Sequence, residues 1–523
     1  MSMFDILIKN GKVIDGTGSP AYLSDVAVKD GKIVKVGRNL KGEAKEVIDA
    51  SGLVVTPGFI DSHAHSEYDI LYYPAQPEKI EQGITTSIGG QCGGSASPLP
   101  KGTTRETADI IPGVGNEMDY FATPTMMFDS VKDVPQGANT ALFMGHSTIR
   151  RAVIGVEDRK PTPEEMEQMK AILREGMDNG AFGLSYGLIY APGCYADTEE
   201  LVEMAKVVAE YNGVIAAHIR SEGNRLAAAT AEFINVAKSA NVRAVLSHHK
   251  AVTSMENWGK VNHTIAMMDQ CNAEGYEIYC DVYPYDASHT SLITTFTPKE
   301  FRARTKEEQL KDLKDPEKRA ELRKWNVQEW GTNLDWVQIA LCDAIPEYKG
   351  LRMTEVAKLH GKEEYETLFD ILVANNLGGT ACYFTMCDAD ICTVLRWPRA
   401  MIGTDGGSVR GGTMCHPRTI GTFPRVLGRY VREKGVTSLP EMIRKMTAMP
   451  AAVYGLKSKG LVWEGMDADL CIFDPDKIID RSTFTDCIQK AEGLNYVLVG
   501  GEVVVKDAVA NGKRKGKVLR REN

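Results

Sequence analysis

The sequence predicts an α/β protein: a (β/α)8 TIM-like barrel with a small β-sandwich domain built from both chain termini. Two observations predict it. Between residues 59 and 455 short apolar strands alternate with helical stretches, and both ends of the chain are β-rich with tight turns. Strands interleaved with helices pair in parallel through right-handed crossovers. About eight such units over roughly 350 residues fit a barrel with insertions. A doubly wound sheet would open on a glycine-rich phosphate loop after its first strand, and GFIDSHAHSE is not one.

Residues 1–58 supply DILIKNGKVIDG, DVAVKDGKIVKVG and KEVIDASGLVVTPG. Asn10-Gly11 and Asp30-Gly31 are expected hairpin turns, because a type I′ turn needs φ > 0 at both central positions. Residues 456–523 supply GLVWEGMDADLCIFD and NYVLVGGEVVVKDAVANGK. A lone hairpin is marginal in water, so the two ends are expected to pair into one domain. In the barrel domain, 59–455, the expected strands are GFIDSHAH, TTSIGG, ALFMGH, AFGLSYG, VIAAHIR, AVLSHH, EIYCDVYPY and MIGTDGG. Helices are expected over 162–180 and 197–213, and a charged helical insertion near 296–335 beside the barrel mouth. The closing GKRKGKVLRREN reads as a solubilising basic end.

The 523 residues carry 61 Lys and Arg against 70 Asp and Glu, a net charge of −9, with 43% hydrophobic and 25% charged residues. That is a soluble globular composition. A mildly acidic chain without a basic block argues against nucleic acid as the main ligand. No run approaches the ~18 apolar residues of a membrane span. The start, MSMFDILIKNGKVIDG, has neither a basic nor an apolar signal region. Eleven irregularly spaced cysteines suggest reduced thiols and a cytoplasmic location. Composition leaves the oligomeric state open.

Metal-competent residues fall at the ends of these strands. His63 and His65 are two apart at the end of GFIDSHAH, which puts both on one strand face. Cys92 follows TTSIGGQ, His218 ends VIAAH, His248 ends AVLSH, and Asp405 ends MIGTD. All six lie at C-terminal strand ends, where active sites of this fold assemble. Imidazole, thiolate and carboxylate together form a zinc-type ligand set. Four of only ten histidines occupy such positions, which favours a metal site over satisfied core histidines. His146 is expected as a hydrogen-bonded wall residue and His249 as a packing residue. The cysteines of CDADIC and CNAEGYEIYC lack the tight spacing of a structural zinc site.

His-Ala-His after a β-rich start, followed by His218, His248 and Asp405, resembles the amidohydrolase superfamily of metal-dependent barrels. More narrowly the chain is similar to the N-acyl-D-amino-acid deacylases. The residues carrying that likeness are PGFIDSHAHSEYDILYYPAQPEKIEQGITTSIGGQCGGSASP, AAHIRSEG, LSHHKAVTSMENWGKV, DVYPYDAS, and the long block from HPRTIGTFPRVLGRYVREKG to MDADLCIFDPD. Many members of the superfamily bridge two metals with a carboxylated lysine; this branch has a cysteine there, and Cys92 occupies that place.

The resemblance implies zinc hydrolysis of the amide of N-acyl-D-amino acids, giving a carboxylate and a free D-amino acid. It implies one tight zinc on Cys92, His218 and His248, leaving a position for water. A second, weak site would be lined by His63, His65, Cys92 and Asp405. Asp405 would be the general base, and the metal with His65 would stabilise the oxyanion. Lys250, Arg418 and Tyr283 would surround the substrate α-carboxylate. The expected partner is this small molecule alone. Related C–N bonds in cyclic imides, hydantoins or dipeptides are the enzymatic alternative, and a catalytically dead scaffold the non-enzymatic one, although none of the six ligand-type residues is missing. Two departures stand out. Glu67 replaces a common Asp, and the GGSVRGGTMC loop carries Arg410, expected to pair with a solvent-facing acid rather than with substrate.

Overall fold

Every residue of Ile84–Gly89, Gly183–Gly187 and Val214–His218 is buried. Strands without a polar face must be covered on both sides, which suits a parallel sheet wrapped by helices. The computed structural model describes residues 3–100, 102–103, 120–409 and 416–522. Arg410 lies outside them. In it the eight expected strands form a closed parallel barrel: Phe59–Asp61, Ile84–Gly89, Asn139–Leu142 continued by Met144–Gly145, Gly183–Gly187, Val214–His218, Arg243–Leu246, Ile278–Val282 and Ala400–Ile402. Closure comes where Ser62 N donates to Ile402 O at 3.0 Å and Gly406 pairs with Ala64.

The outer helices start where capping chemistry places them. Pro163–Asp178 opens with a capping box between Thr162 and Glu165 and a proline in its first turn. Thr198–Glu210 opens on Asp197, whose side chain accepts from Glu200 N.

Strands from the two chain ends join in one nine-stranded sheet, in which Val54–Pro57 pairs with Leu470–Phe473. It closes over a core containing Ile8, Val28, Ile33, Val55, Leu470 and Leu498. Asp30-Gly31 makes the expected hairpin, with both residues at positive φ between paired strands. Asn10-Gly11 does not. It sits inside the continuous strand Phe4–Val13 as an irregularity in the pairing with Tyr22–Lys29. The neighbouring strand continues on both sides of it, so the positive φ of Asn10 is absorbed by a bulge and not by a turn.

The charged helices Lys299–Arg302, Lys306–Asp312 and Pro316–Trp330 belong to a larger unit between the seventh and eighth barrel strands. An antiparallel sheet of Ser288–Ser291, Thr380–Tyr383 and Val337–Leu341 holds it together. Its separate core includes Phe296, Val337, Ile339, Tyr365 and Phe369. The basic C-terminus is also more than a solubilising end. Gln136 and Gly516 exchange two backbone hydrogen bonds, Thr140 N donates to Lys517 O, and Leu519 N to Thr140 O. The tail is a strap along the third barrel strand.

Candidate metal centre

The C-terminal strand ends open on a cavity of about 1140 Å³, lined by barrel residues and by the insertion. Cys92 stands at its floor. Its Sγ lies 3.4 Å from His63 Nε2, 3.4 Å from His248 Nε2 and 3.9 Å from His218 Nδ1. Opposite, Asp405 Oδ1 lies 3.1 Å from His65 Nε2 and 3.5 Å from His63 Nε2. The structure therefore brings all six strand-end residues together. They form two sets that share the sulfur, His63–His65–Cys92–Asp405 and Cys92–His218–His248, with ligand atoms within 4.8 Å of one another in each.

The ring nitrogens turned away from the sulfur meet carboxylates. His63 Nδ1 lies 3.4 Å from Asp281 Oδ2, His248 Nδ1 3.0 Å from Glu222 Oε1, and His65 Nδ1 3.7 Å from Glu67 Oε1. Such outer carboxylates fix the tautomer and orientation of a metal-ligating imidazole. His218 Nε2 is 3.6 Å from Glu222 Oε2 and is a buried nitrogen without a hydrogen bond among the described residues. Tetrahedral zinc needs donors about 3.5 Å apart. The spacing around Cys92, its soft sulfur, and the His218 Nδ1 and His248 Nε2 turned toward it all fit that ion.

Burial opposes charge on Cys92, but the facing His63 and His248 imidazoles outweigh it and hold the thiol well below its ordinary range. Burial likewise opposes ionisation of Asp405, and Arg418 with the histidines overrides it, keeping the carboxyl well below the usual value. Arg418 Nη1 donates to Asp405 Oδ2 at 2.7 Å, and its guanidinium lies 4.8 Å over the Tyr283 ring. Lys250 Nζ meets Glu222 Oε1 at 2.6 Å, His248 Nδ1 at 2.7 Å and His248 O at 2.9 Å. Arg418, Lys250 and Tyr283 all line the cavity.

Two residues escaped the sequence reading. Asp281 Oδ1 accepts from His248 N at 2.7 Å while Oδ2 faces His63, so one carboxylate ties two candidate ligands. It is the last residue but one of the seventh barrel strand, close to the positional signal that singled out the others. Glu222 stands four residues after His218, in a loop where spacing alone gives little warning. His146 Nε2 is bonded to Glu200 at 2.8 Å and His249 Nε2 to Thr264 at 2.9 Å, both as packed residues away from the sulfur, each with Nδ1 buried without a partner among the described residues. Glu67 Oε2 accepts from Gly90 N at 2.8 Å, bracing the loop that carries Cys92.

The sequence pattern of the amidohydrolase family matches residues 46–318 and 352–505. A D-aminoacylase from Alcaligenes xylosoxydans xylosoxydans is 33% identical over 519 residues, covering 99% of this chain and 98% of that protein. The chain belongs to the amidohydrolase family, in its D-aminoacylase branch. The solved N-acyl-D-glutamate deacylase of Bordetella bronchiseptica, complexed with zinc and a phosphonate mimic of the tetrahedral intermediate, is similar to this amidohydrolase. Its TM-score is 0.84 and its identity 33%, over 99% of this chain and 100% of that one. A solved D-aminoacylase, described as having a binuclear centre with one-metal activation and second-metal attenuation, matches this amidohydrolase at TM-score 0.84 and 32% identity, with 99% and 100% covered.

Proposed function

We propose that this amidohydrolase is a zinc-dependent deacylase of N-acyl-D-amino acids, releasing a carboxylate and a free D-amino acid. The observation that carries the reading is one cysteine sulfur shared by two imidazole sets, with a carboxylate opposite and a guanidinium beside it. Cys92, His218 and His248 hold the tight ion. Zinc there supplies the Lewis acidity that makes water nucleophilic at neutral pH.

The remaining steps belong to the protein's own groups. Asp405 takes the proton from the attacking water and returns it to the departing amine nitrogen. Asp281 and Glu222 hold the rings so that each presents one nitrogen to the centre. With Nε2 of His248 as the ligating atom, its proton sits on Nδ1 and donates to Glu222. That turns one Lys250 N–H away from His248 and toward the cavity. Lys250 and Arg418 then grip the substrate α-carboxylate, the arginine stiffened by Tyr283 beneath it. The second set, His63–His65–Cys92–Asp405, is the weaker metal site, because a cation there competes with Arg418 for Asp405. It would also occupy the base, which accords with attenuation by a second metal. A ligand thiolate that must stay reduced suits the cytoplasm.

The test is metal analysis of the purified protein together with a hydrolysis screen of paired D and L N-acetyl amino acids with acidic, aromatic and aliphatic side chains. One retained zinc per chain and turnover confined to D-forms are expected. Turnover of L-forms alone, or of none, overturns the proposal.

A further inference from the structure

Among the described residues, the buried Arg150 and Arg418 and the partly buried Arg425 are each matched by an acid. Arg150 meets Glu200 at 3.1 Å, Arg418 meets Asp405 at 2.7 Å, and Arg425 meets Asp480 at 3.3 Å. Arg302, half-buried on the insertion, is different. Its Nη1 donates to Ile189 O at 3.0 Å, while Nε is sealed from solvent without an acceptor. No carboxylate among the described residues pairs with it. An uncompensated buried charge is costly, and here burial works against the guanidinium enough to lower its pKa. Yet the side chain lines the substrate cavity. Ile189, which it grips, precedes Tyr190, whose ring meets the His218 ring edge-on at 5.1 Å. The guanidinium therefore shares the cavity with Tyr190 and the candidate ligand His218, oriented by a backbone carbonyl. Another cavity-lining donor, the Trp330 indole N–H, is also buried without an acceptor.

We propose that Arg302 anchors a second carboxylate on the substrate, distinct from the α-carboxylate held by Arg418 and Lys250, and so makes this enzyme selective for acidic N-acyl-D-amino acids. The inference rests on the deacylase reading above. A planar carboxylate suits the unspent edge of a guanidinium whose position is already fixed, because little entropy is lost when the ligand binds. That carboxylate belongs either to the amino-acid side chain or to the far end of the acyl group.

The experiment compares kcat/KM of the holoenzyme on two matched pairs: N-acetyl-D-glutamate against N-acetyl-D-glutamine, and N-succinyl-D-leucine against its terminal amide. The acid of one pair is expected to exceed its amide by about 30-fold, the scale of a charge-assisted hydrogen bond. The pair that discriminates identifies the source of the carboxylate. Arg302→Gln should collapse that ratio toward unity, mainly through KM, and Arg302→Lys should restore part of it. The ratio is internal to each protein, so partial loss of folded enzyme does not alter it. Acids turned over no better than their amides by the unmodified enzyme, or a ratio that survives in Arg302→Gln, overturns the inference while the deacylase reading stands. An enzyme inactive on all four compounds, and on the wider screen, removes both.

Discussion

Cys92, His248 and Asp405 share an uncommon backbone: their φ angles are 52°, 36° and 49°, in the left-handed region that L-residues seldom adopt. His248 and Asp405 are held there by hydrogen bonds, and Cys92 is closely packed against Gly187. His248 N donates to Asp281, Asp405 N donates to His63 O at 2.8 Å, and a Cβ on Gly187 would lie 2.0 Å from Cys92 O. Strain of this kind persists where the surroundings over-determine it, and it serves to aim three side chains at one point. The residues divide by task, and substitution should separate them. Asp405→Asn is expected to keep the tight zinc and lose about a thousandfold in kcat, the middle of the range for general-base catalysis. Cys92→Ala should lose both metal and activity. Metal content by mass spectrometry alongside kcat decides this, and an Asp405→Asn enzyme with near-normal turnover would contradict the assigned base. Glu222→Gln removes the carboxylate behind His248 and His218 without touching the sulfur. It should weaken zinc binding by about 10- to 100-fold, read by competition with a chelator. Unchanged affinity would mean that Glu222 serves Lys250 alone.

At the scale of elements, the barrel was legible because its strands are short apolar runs that end in chemistry-bearing residues. A parallel strand announces itself by continuous burial, and a strand end by the polar residue that stops it. Asp281 and Glu222 are harder to see, since Asp281 meets His63 from 218 residues away and Glu222 meets Lys250 from 28, contacts that only the closed barrel makes. The insertion was read as helices alone. Its three short strands are dispersed between Ser288 and Tyr383, and none pairs with its neighbour in sequence through a tight turn. Asn10-Gly11 carried the right dihedral signal for the wrong structure, because a bulge and a turn both need positive φ. The C-terminal strap was misread from composition. Its basic side chains meet surface partners such as Glu502 and the Phe128 carbonyl, while its backbone pairs along the third barrel strand, and backbone pairing leaves no mark on charge. Truncation after Lys515 would strip acceptors and donors from buried Gln136 and Thr140. The loss should cost about 3 kcal/mol or more, counting each orphaned buried group. A truncated chain that melts within about 1 °C of the full chain would show the strap to be dispensable.

For the whole molecule, one buried carboxyl sets a pH dependence that the paired surface charges do not. Glu78, in the short helix Pro77–Ile80, has Oε1 sealed without a partner. The adjacent Lys79 offsets little of this, because its ammonium is committed to Asp61 at 2.9 Å, Thr404 at 3.0 Å and Gly406 O at 3.1 Å. Burial therefore pushes the Glu78 carboxyl up to about 7 from an ordinary 4.5. The folded state then holds this proton more tightly than the unfolded chain does. Stability from the group is complete below pH 4.5 and is lost as pH rises toward 7, an effect of about 3 kcal/mol. Surface carboxyls paired with basic residues, such as Glu165 with its pKa near 2, act in the opposite sense and only at lower pH. They leave the interval between 5 and 8 to groups like Glu78. In a Glu78→Gln chain position 78 is neutral at any pH, so its melting temperature relative to the unmodified protein should rise from pH 5 to about pH 7 and level off by pH 8. Parallel melting curves across that interval would show that Glu78 is not the titrating group.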